Sequence, residues 1–280
     1  MNIKHQDFKI PIGNSFLKLG NEPTIMGILN VTPDSFSDGG KFTNVNTALK
    51  QAKKMIKHGA KIIDIGGEST RPNATKTPEQ EELDRVIPII KALNKAKLNT
   101  FISIDTYKAN VADKALQSGA HIINDVCGLQ NEPEMANVAA NHNAPIIIMH
   151  WDKKRDISRD IIEEMKRFFE KSLTIAKDAG IKTEKIILDP GFGFAKTLKE
   201  NYEILRRFDE LQTLGFALLN GTSNKSMIGN LLDIPTKKRL SGTIATNIIA
   251  YNKGAHIFRV HNVKENSYAL KVTQATNTNI

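Results

Sequence analysis

Eight times along the chain a short apolar run ends in a polar or charged residue, and a stretch of helical periodicity separates each run from the next. Ile25–Leu29 ends in Asn30, Ile62–Gly67 in Glu68-Ser69-Thr70-Arg71, Phe101–Ile104 in Asp105, and His121–Ile123 in Asn124. Ile146–Met149 leads into His150, Ile186–Leu188 into Asp189, and Phe216–Leu219 towards Thr222-Ser223-Asn224-Lys225. Ile257–Val260 carries Arg259 within it and His261 at its end. Short apolar runs that do not alternate read as strands buried on both faces, hence parallel. Eight of them joined by crossover helices predict an α/β chain folded as a (β/α)₈ TIM barrel, whose chemistry sits at the carboxyl ends of its strands. The polar residues fall at those ends, so the pattern reads as an enzyme.

Ahead of the first run, residues 7–20 alternate around Gly13-Asn14, which predicts a β-hairpin plugging the amino-terminal mouth of the barrel. Gly59, Gly119 and Gly254 precede the second, fourth and eighth runs, where a left-handed residue would end each helix. Two βα connections are long and rich in Gly, Pro, Ser and Asp, one from Val31 to about Phe42 and one from Gly66 to about Thr77. Long loops over an active face commonly act as lids.

A barrel of this kind takes about 250 residues. The 280 present are therefore read as one domain, residues 1–280. The lone Cys127 reads as a buried filler and fits a reducing compartment. With no long apolar segment and no signal-type amino terminus, the expectation is a cytoplasmic protein with no membrane partner. The net charge of +9 comes mainly from lysines scattered over helix faces, without the arginine clusters that read phosphate backbones. It points to steering of small anions and not to nucleic acid. The many asparagines read as compositional bias.

Asp105, Asn124 and Asp189 put two carboxylates and an amide at the ends of the third, fourth and sixth strands. Each alone could be a helix cap. Together they suit a flat heterocycle with an N–C–NH₂ edge, because Asp accepts while Asn both donates and accepts. The opposite side is basic. Lys225 follows strand seven, and Arg259 and His261, two apart, share one face of strand eight, where barrels often bind phosphate. Arg71 could close over the same anion. Asn30 could give an amide oxygen to Mg²⁺ whose remaining ligands are largely phosphate oxygens. Asp189-Pro190-Gly191-Phe192-Gly193-Phe194 fails as a nucleotide fingerprint, but would let backbone approach a flat ligand with Phe194 beside it. No zinc-hydrolase or serine-hydrolase motif is present.

These residues resemble the dihydropteroate synthase family. The resemblance rests on Leu29–Gly40, Gly66–Pro72, Ser103–Thr106, Asn124-Asp125, Asp189–Phe194, Thr222–Gly229 and Arg259-Val260-His261, in order along the whole chain. It implies a transferase of folate biosynthesis that joins 6-hydroxymethyl-7,8-dihydropterin pyrophosphate to p-aminobenzoate, releasing pyrophosphate. Carried over, Asp105, Asn124, Met149, Asp189 and Lys225 hold the pterin. Asn30, Arg71, Arg259 and His261 hold the pyrophosphate, with Asn30 the protein's ligand to Mg²⁺. Phe36, Thr70, Pro72, Phe194 and Ser226 surround p-aminobenzoate, the site at which sulfonamides compete. Asp105, Lys225, Arg259 and His261 carry the catalysis, and a homodimer through late helices is implied.

Asn224, Asn262 and Trp151 depart from the family pattern. Two other readings stand beside it. A pterin-binding methyltransferase shares the Asp/Asn set but has no need of Lys225 with Ser226 or of Arg259 with His261. A non-catalytic relative would be expected to lose Phe36, Arg71 or Pro72, and all three are present.

Overall fold

The computed structural model describes residues 5–31, 41–68 and 76–277, with 41–44 described by backbone alone. The chain turns at Gly13 (φ 54°) between β1 (Phe8–Ile12) and β2 (Ser15–Leu19), which pair antiparallel with Ile12 opposite Ser15. The barrel follows: β3 (Thr24–Asn30), α1 (Lys41–Lys57), β4 (Ala60–Gly66), α2 (Glu79–Lys95), β5 (Phe101–Asp105), α3 (Ala109–Gln117), β6 (Ile122–Asp125) and α4 (Glu134–Asn141). It continues through β7 (Ile146–Met149), α5 (Ile161–Asp178), β8 (Ile186–Asp189), α6 (Leu198–Arg206) and β9 (Ala217–Asn220). The crossover to β10 (Ile257–Val260) holds two helices, α7 (Ser226–Leu232) and α8 (Leu240–Asn252), and α9 (Val263–Asn277) closes the order. β3 to β10 pair in parallel, in sequence, and β10 returns to β3, so the barrel is closed.

Local sequence explains where the helices begin and end. α2 opens with Glu79, Glu81 and Glu82 in its first turn, which complements the helix dipole. Asp160 caps α5 by accepting from the Ile162 and Glu163 amides, and Thr197 with Glu200 forms a capping box on α6. Gly59, Gly119 and Gly254 stand at φ 105°, 109° and 90°, as expected of terminators. His121, read as the start of a strand, lies just outside β6. Its Nδ1 accepts the Ile102 amide at 3.0 Å.

Alternation along each strand divides two apolar layers. Ile63, Ile65, Ile104, Ile123, Ile148, Leu188 and Phe258 pack outward on the helices. Met26, Ile62, Ile122, Ile147, Ile187 and Ile257 form an inner layer with Ile10, Ile12, Leu17 and Leu19 of the hairpin. The hairpin is thus the predicted plug. Lys185 latches it, donating to the Pro11 carbonyl at 3.1 Å and the Asn143 carbonyl at 2.5 Å. With one mouth filled by side chains, any ligand must enter at the other.

Leu17→Ala should therefore lower the unfolding free energy by about 2–5 kcal/mol, the range for emptying a buried leucine site. Urea-induced unfolding measures it, and a loss below about 0.5 kcal/mol, typical of surface changes, would show that the hairpin does not plug the barrel.

Candidate active site

The residue two positions beyond each inner-layer side chain points into the open mouth. On β4 this is Asp64, on β6 Asn124, on β7 Met149, on β8 Asp189 and on β10 Arg259. Asp105 ends β5 directly beside Asn124 and Gly66, and Met149 lies beside Asp189. Gly66 keeps the next level open, since a Cβ there would sit 3.5 Å from Asp105 Oδ2 and 3.7 Å from Asn30 Oδ1.

Arg259 organises this layer. Its Nε donates to Asp64 Oδ2 at 2.7 Å and its Nη2 to Asp105 Oδ2 at 2.5 Å, while Asn124 Nδ2 donates to Asp64 Oδ2 at 3.2 Å. Asp64 is fully buried, and its Oδ1 has no partner among the described residues. Two carboxylates thus share one guanidinium. Burial pushes the Asp105 carboxyl up to about 7, with Arg259 pulling the other way and Asp64 adding to the rise. Burial, then the neighbouring Arg259, push the Lys225 ammonium down to about 8. Asp189 is also raised by burial, opposed by the Gly191 amide that donates to its Oδ1 at 2.7 Å.

The turn after β8 forms one wall. Gly191 stands at φ 66° against β7, where a Cβ would come within 2.1 Å of the His150 carbonyl oxygen, so only glycine fits. Phe194 packs with Val126 and Met149, tilted against Trp151 at 5.2 Å between ring centres. The Lys225 Nζ lies 4.0 Å from the Phe194 ring centre. The pocket at this mouth is lined by Asp105, Asn124, Val126, Met149, Asp189, Gly191, Phe192, Phe194, Gly221, Lys225 and Arg259. A slot with apolar walls, carboxylates and an amide along one side and two cations nearby suits a flat, polar-edged ligand.

Residues 26–261 match the family model described as pterin binding enzyme. A dihydropteroate synthase of Clostridium beijerinckii is 48% identical over 94% of this chain and 97% of its own length. The chain belongs to the dihydropteroate synthase family. The Escherichia coli K12 dihydropteroate synthase is 45% identical, covering 91% of this chain and 92% of its own. A crystal structure of the Clostridium difficile dihydropteroate synthase with pteroic acid superposes with a TM-score of 0.89 at 50% identity, covering 92% of this chain and 98% of that one. The Yersinia pestis dihydropteroate synthase in a sulfonamide complex gives 0.88 at 42% identity over 96% and 99%.

Within this family member, six sequence-predicted residues line one pocket: Asp105, Asn124, Met149, Asp189, Lys225 and Arg259. Phe194, expected at p-aminobenzoate, belongs to that same lining. His261 does not. It stands beside the pocket, its Nδ1 2.9 Å from Ser223 Oγ, which also accepts the His261 amide at 3.2 Å. Ser226 is exposed at the start of α7, and Asn30 is half-buried at the end of β3. Phe36, Thr70, Arg71 and Pro72 lie outside the described residues.

Several features were not anticipated from sequence. Asp64 breaks an apolar strand run as its one charged residue, and that was the signal available for it. Arg259, read as an anion ligand, is tied to two carboxylates. The asparagines read as bias include a buried chain: Asn220 donates to Asn247 at 2.6 Å, Asn247 to Asn266 at 2.7 Å, and Asn266 to the Asn262 carbonyl at 2.8 Å. The departures find local roles. Asn224 adopts φ 58°, which asparagine tolerates, and Trp151 packs on Phe194. Cys127 is partly buried, and burial pushes its thiol up to about 12, consistent with a filler. Asp125 caps its own turn, accepting the Cys127 and Leu129 amides at 2.8 and 2.7 Å.

Among the shifted groups, Asp105 and Lys225 titrate near neutrality on either side and together define a pH profile. A role requiring the Asp105 carboxylate is lost as pH falls through about 7, and one requiring the Lys225 ammonium is lost as pH rises through about 8. The kcat/KM of the free enzyme for its pterin substrate should therefore be bell-shaped with those limbs. A profile flat from pH 6 to 9 would separate both groups from the reaction.

Proposed function

We propose that this chain condenses 6-hydroxymethyl-7,8-dihydropterin pyrophosphate with p-aminobenzoate, giving 7,8-dihydropteroate and pyrophosphate in folate biosynthesis. The observation that carries the reading is the pocket in which Asp105, Asn124 and Asp189 face Lys225 and Arg259 between apolar walls. The carboxylates accept from the pterin N–C–NH₂ edge, Asn124 takes a mixed donor–acceptor edge, and Met149 and Lys225 complete the pterin site. Arg259, released in part from Asp105 as the ligand binds, joins His261, Asn30 and Arg71 at the pyrophosphate. Phe36, Thr70, Pro72, Phe194 and Ser226 enclose p-aminobenzoate, and sulfonamides compete there.

In the reaction the pterin methylene–oxygen bond breaks, its electron pair leaving with pyrophosphate, the arylamine nitrogen bonds to the same carbon, and the proton it then sheds passes to water or to the departing pyrophosphate. The positive charge that develops on the pterin is offset by Asp105, and the negative charge on the leaving group by Arg259, Lys225 and His261. An aniline nitrogen needs little activation, so the chain supplies positioning and charge and no dedicated base.

Mg²⁺ fits the donors present. Among the described residues no cluster of three His, Cys, Asp or Glu could hold a metal alone, while Asn30 offers a hard amide oxygen at the end of β3. Asn30 would hold the ion together with pyrophosphate oxygens. When bound, Mg²⁺ supplies charge neutralisation on the leaving group. A homodimer through the late helices is supported by the exposed apolar side chains Ile249, Tyr268 and Val272 on α8 and α9. A cytoplasmic location accords with the absence, among the described residues, of any helix able to cross a membrane.

Asp105→Asn should reduce turnover at least about a hundredfold, in keeping with loss of one preorganised electrostatic partner. Pyrophosphate release with and without p-aminobenzoate measures it, and activity within about threefold of the parent would remove Asp105 from the reaction. Excess chelator should abolish turnover and added Mg²⁺ restore it. Full activity in chelator would mean that the basic side chains handle the pyrophosphate alone.

A further inference from the structure

Lys196 has no part in the reaction described above, yet its Nζ sits at the centre of the wall that carries Phe194, where burial pushes the ammonium down to about 7 and Asp189 pulls it back up. The three carbonyl oxygens that face it favour the charged form, which has a proton for each. Nζ lies 2.9 Å from the Gly191 carbonyl, 3.0 Å from the Phe194 carbonyl and 3.2 Å from the His150 carbonyl, and 2.9 Å from His150 Nδ1. Three of these acceptors are backbone oxygens, and the Gly191 carbonyl also accepts the Phe194 amide at 3.1 Å, in a turn that alternates into the left-handed region at Gly191 (66°), Gly193 (79°) and Ala195 (48°). A left-handed alanine is unfavourable on its own and persists only where its surroundings dictate it. The rest of the turn is held as well. Gly193 N–H donates to Asn201 Oδ1 at 2.7 Å, and Arg155 Nη2 donates to the Ala195 carbonyl at 3.2 Å while paired with Glu200 at 2.6 Å. The Lys196 ammonium adds the polar link between this turn and His150, the residue that follows β7, beside the packing of Phe194 on Met149.

We propose that Lys196 is a positioning residue for the pterin pocket, an internal cation that gathers the Gly191, Phe194 and His150 carbonyls and so fixes Phe194 and Asp189 against the ligand. The mechanics are those of a bound metal ion built from a side chain. Convergent carbonyl dipoles repel one another unless a positive charge lies between them, and a lysine reaching back from the end of the turn supplies it with three N–H donors. Without it the turn loses its bridge to His150, Phe194 is released from beneath Lys225 and beside Trp151, and the pocket loses a wall. The effect on ligand rests on the pterin reading of the pocket; the effect on the turn does not.

The chain's single tryptophan, Trp151, stands against Phe194 and reports on that wall. Lys196→Met keeps the unbranched stem, one atom shorter, and removes the charge and every donor. In the full chain it should shift Trp151 emission and raise its acrylamide quenching. The dissociation constant for 6-hydroxymethylpterin, measured by calorimetry, should rise at least about tenfold, the scale of loss when a binding wall moves by a fraction of an ångström. Lys196→Ala leaves a space that a small ammonium can enter. Ethylammonium, with three N–H donors, should restore affinity saturably, and tetramethylammonium, with none, should not. Folded variants with parental Trp151 emission and pterin affinity within about twofold would overturn the proposal, as would equal rescue by both cations. Should the alanine variant fold only on addition of a cation, native Trp151 emission with ethylammonium alone supports the assignment and recovery with neither cation overturns it. A parent chain that binds no pterin would remove the proposed function, while Trp151 in the ligand-free variants still decides the role of Lys196.

Discussion

One guanidinium shared by two buried carboxylates sets the character of the open mouth. Arg259 cannot leave Asp64 and Asp105 without stranding charge in a poorly solvated site, a loss of about 3–5 kcal/mol when such a pair is broken from one side. It cannot neutralise both either. The mouth therefore carries an excess negative charge, relieved in the free chain by the rise of Asp105 towards neutrality. A ligand with positive or donor character relieves it better. Under the proposed function, a pterin edge would present N–H donors in the ground state and gather positive charge as its leaving group departs, so the imbalance that raises Asp105 would favour the reacting ligand. Lys225, itself pushed down by burial and by Arg259, completes a set in which charges are held apart by backbone geometry and not by solvent.

That set depends on rigid supports. β-strands position Asp64, Asp105, Asn124, Asp189 and Arg259, whereas Lys225 and Phe194 sit on turns that need supports of their own. For Lys225 these come from α8 and from Arg239, the residue that precedes that helix. Thr243 accepts the Asn224 amide at 3.1 Å, Thr246 meets Thr222 at 2.8 Å, and Arg239 donates to the Asn224 carbonyl at 2.9 Å. For Phe194 they come from Lys196 and Asn201. The buried asparagine chain extends the first support to α9, so the loop bearing Lys225 is braced by the helices whose apolar faces stand exposed.

How much of this was legible follows from where each residue falls in its local pattern. Asn30, Asp105, Asn124 and Asp189 end apolar runs, and an abrupt change of polarity at a strand end is visible without a structure. The hairpin was visible as alternation and the helix ends as glycines. Asp64 was hidden because it sits inside a run whose neighbours fix the strand reading, and a single charge did not disturb that pattern. Lys196 was hidden for a different reason: its partners are backbone carbonyls, brought together by three left-handed residues whose dihedrals the sequence does not announce. Charge alone grouped Arg259 with Lys225 and His261, but pairing is decided in three dimensions. There Arg259 faces carboxylates from two other strands, and His261 sits outside the lining.

The hairpin ties distant parts of the chain together, which bears on how the protein is made. Its apolar face is completed by Ile257, and His256 Nε2 lies 3.1 Å from the Gln6 carbonyl while the Tyr251 hydroxyl donates to the Asn21 carbonyl at 2.7 Å. The hairpin therefore docks on elements that are synthesised well after it. Until β10 is made, Ile10, Ile12, Leu17 and Leu19 have no finished surface to cover them, and β3 lacks its neighbour. A nascent chain of this design carries a sticky hairpin and an open sheet edge until the last barrel strand emerges, the condition under which chaperone binding competes with aggregation.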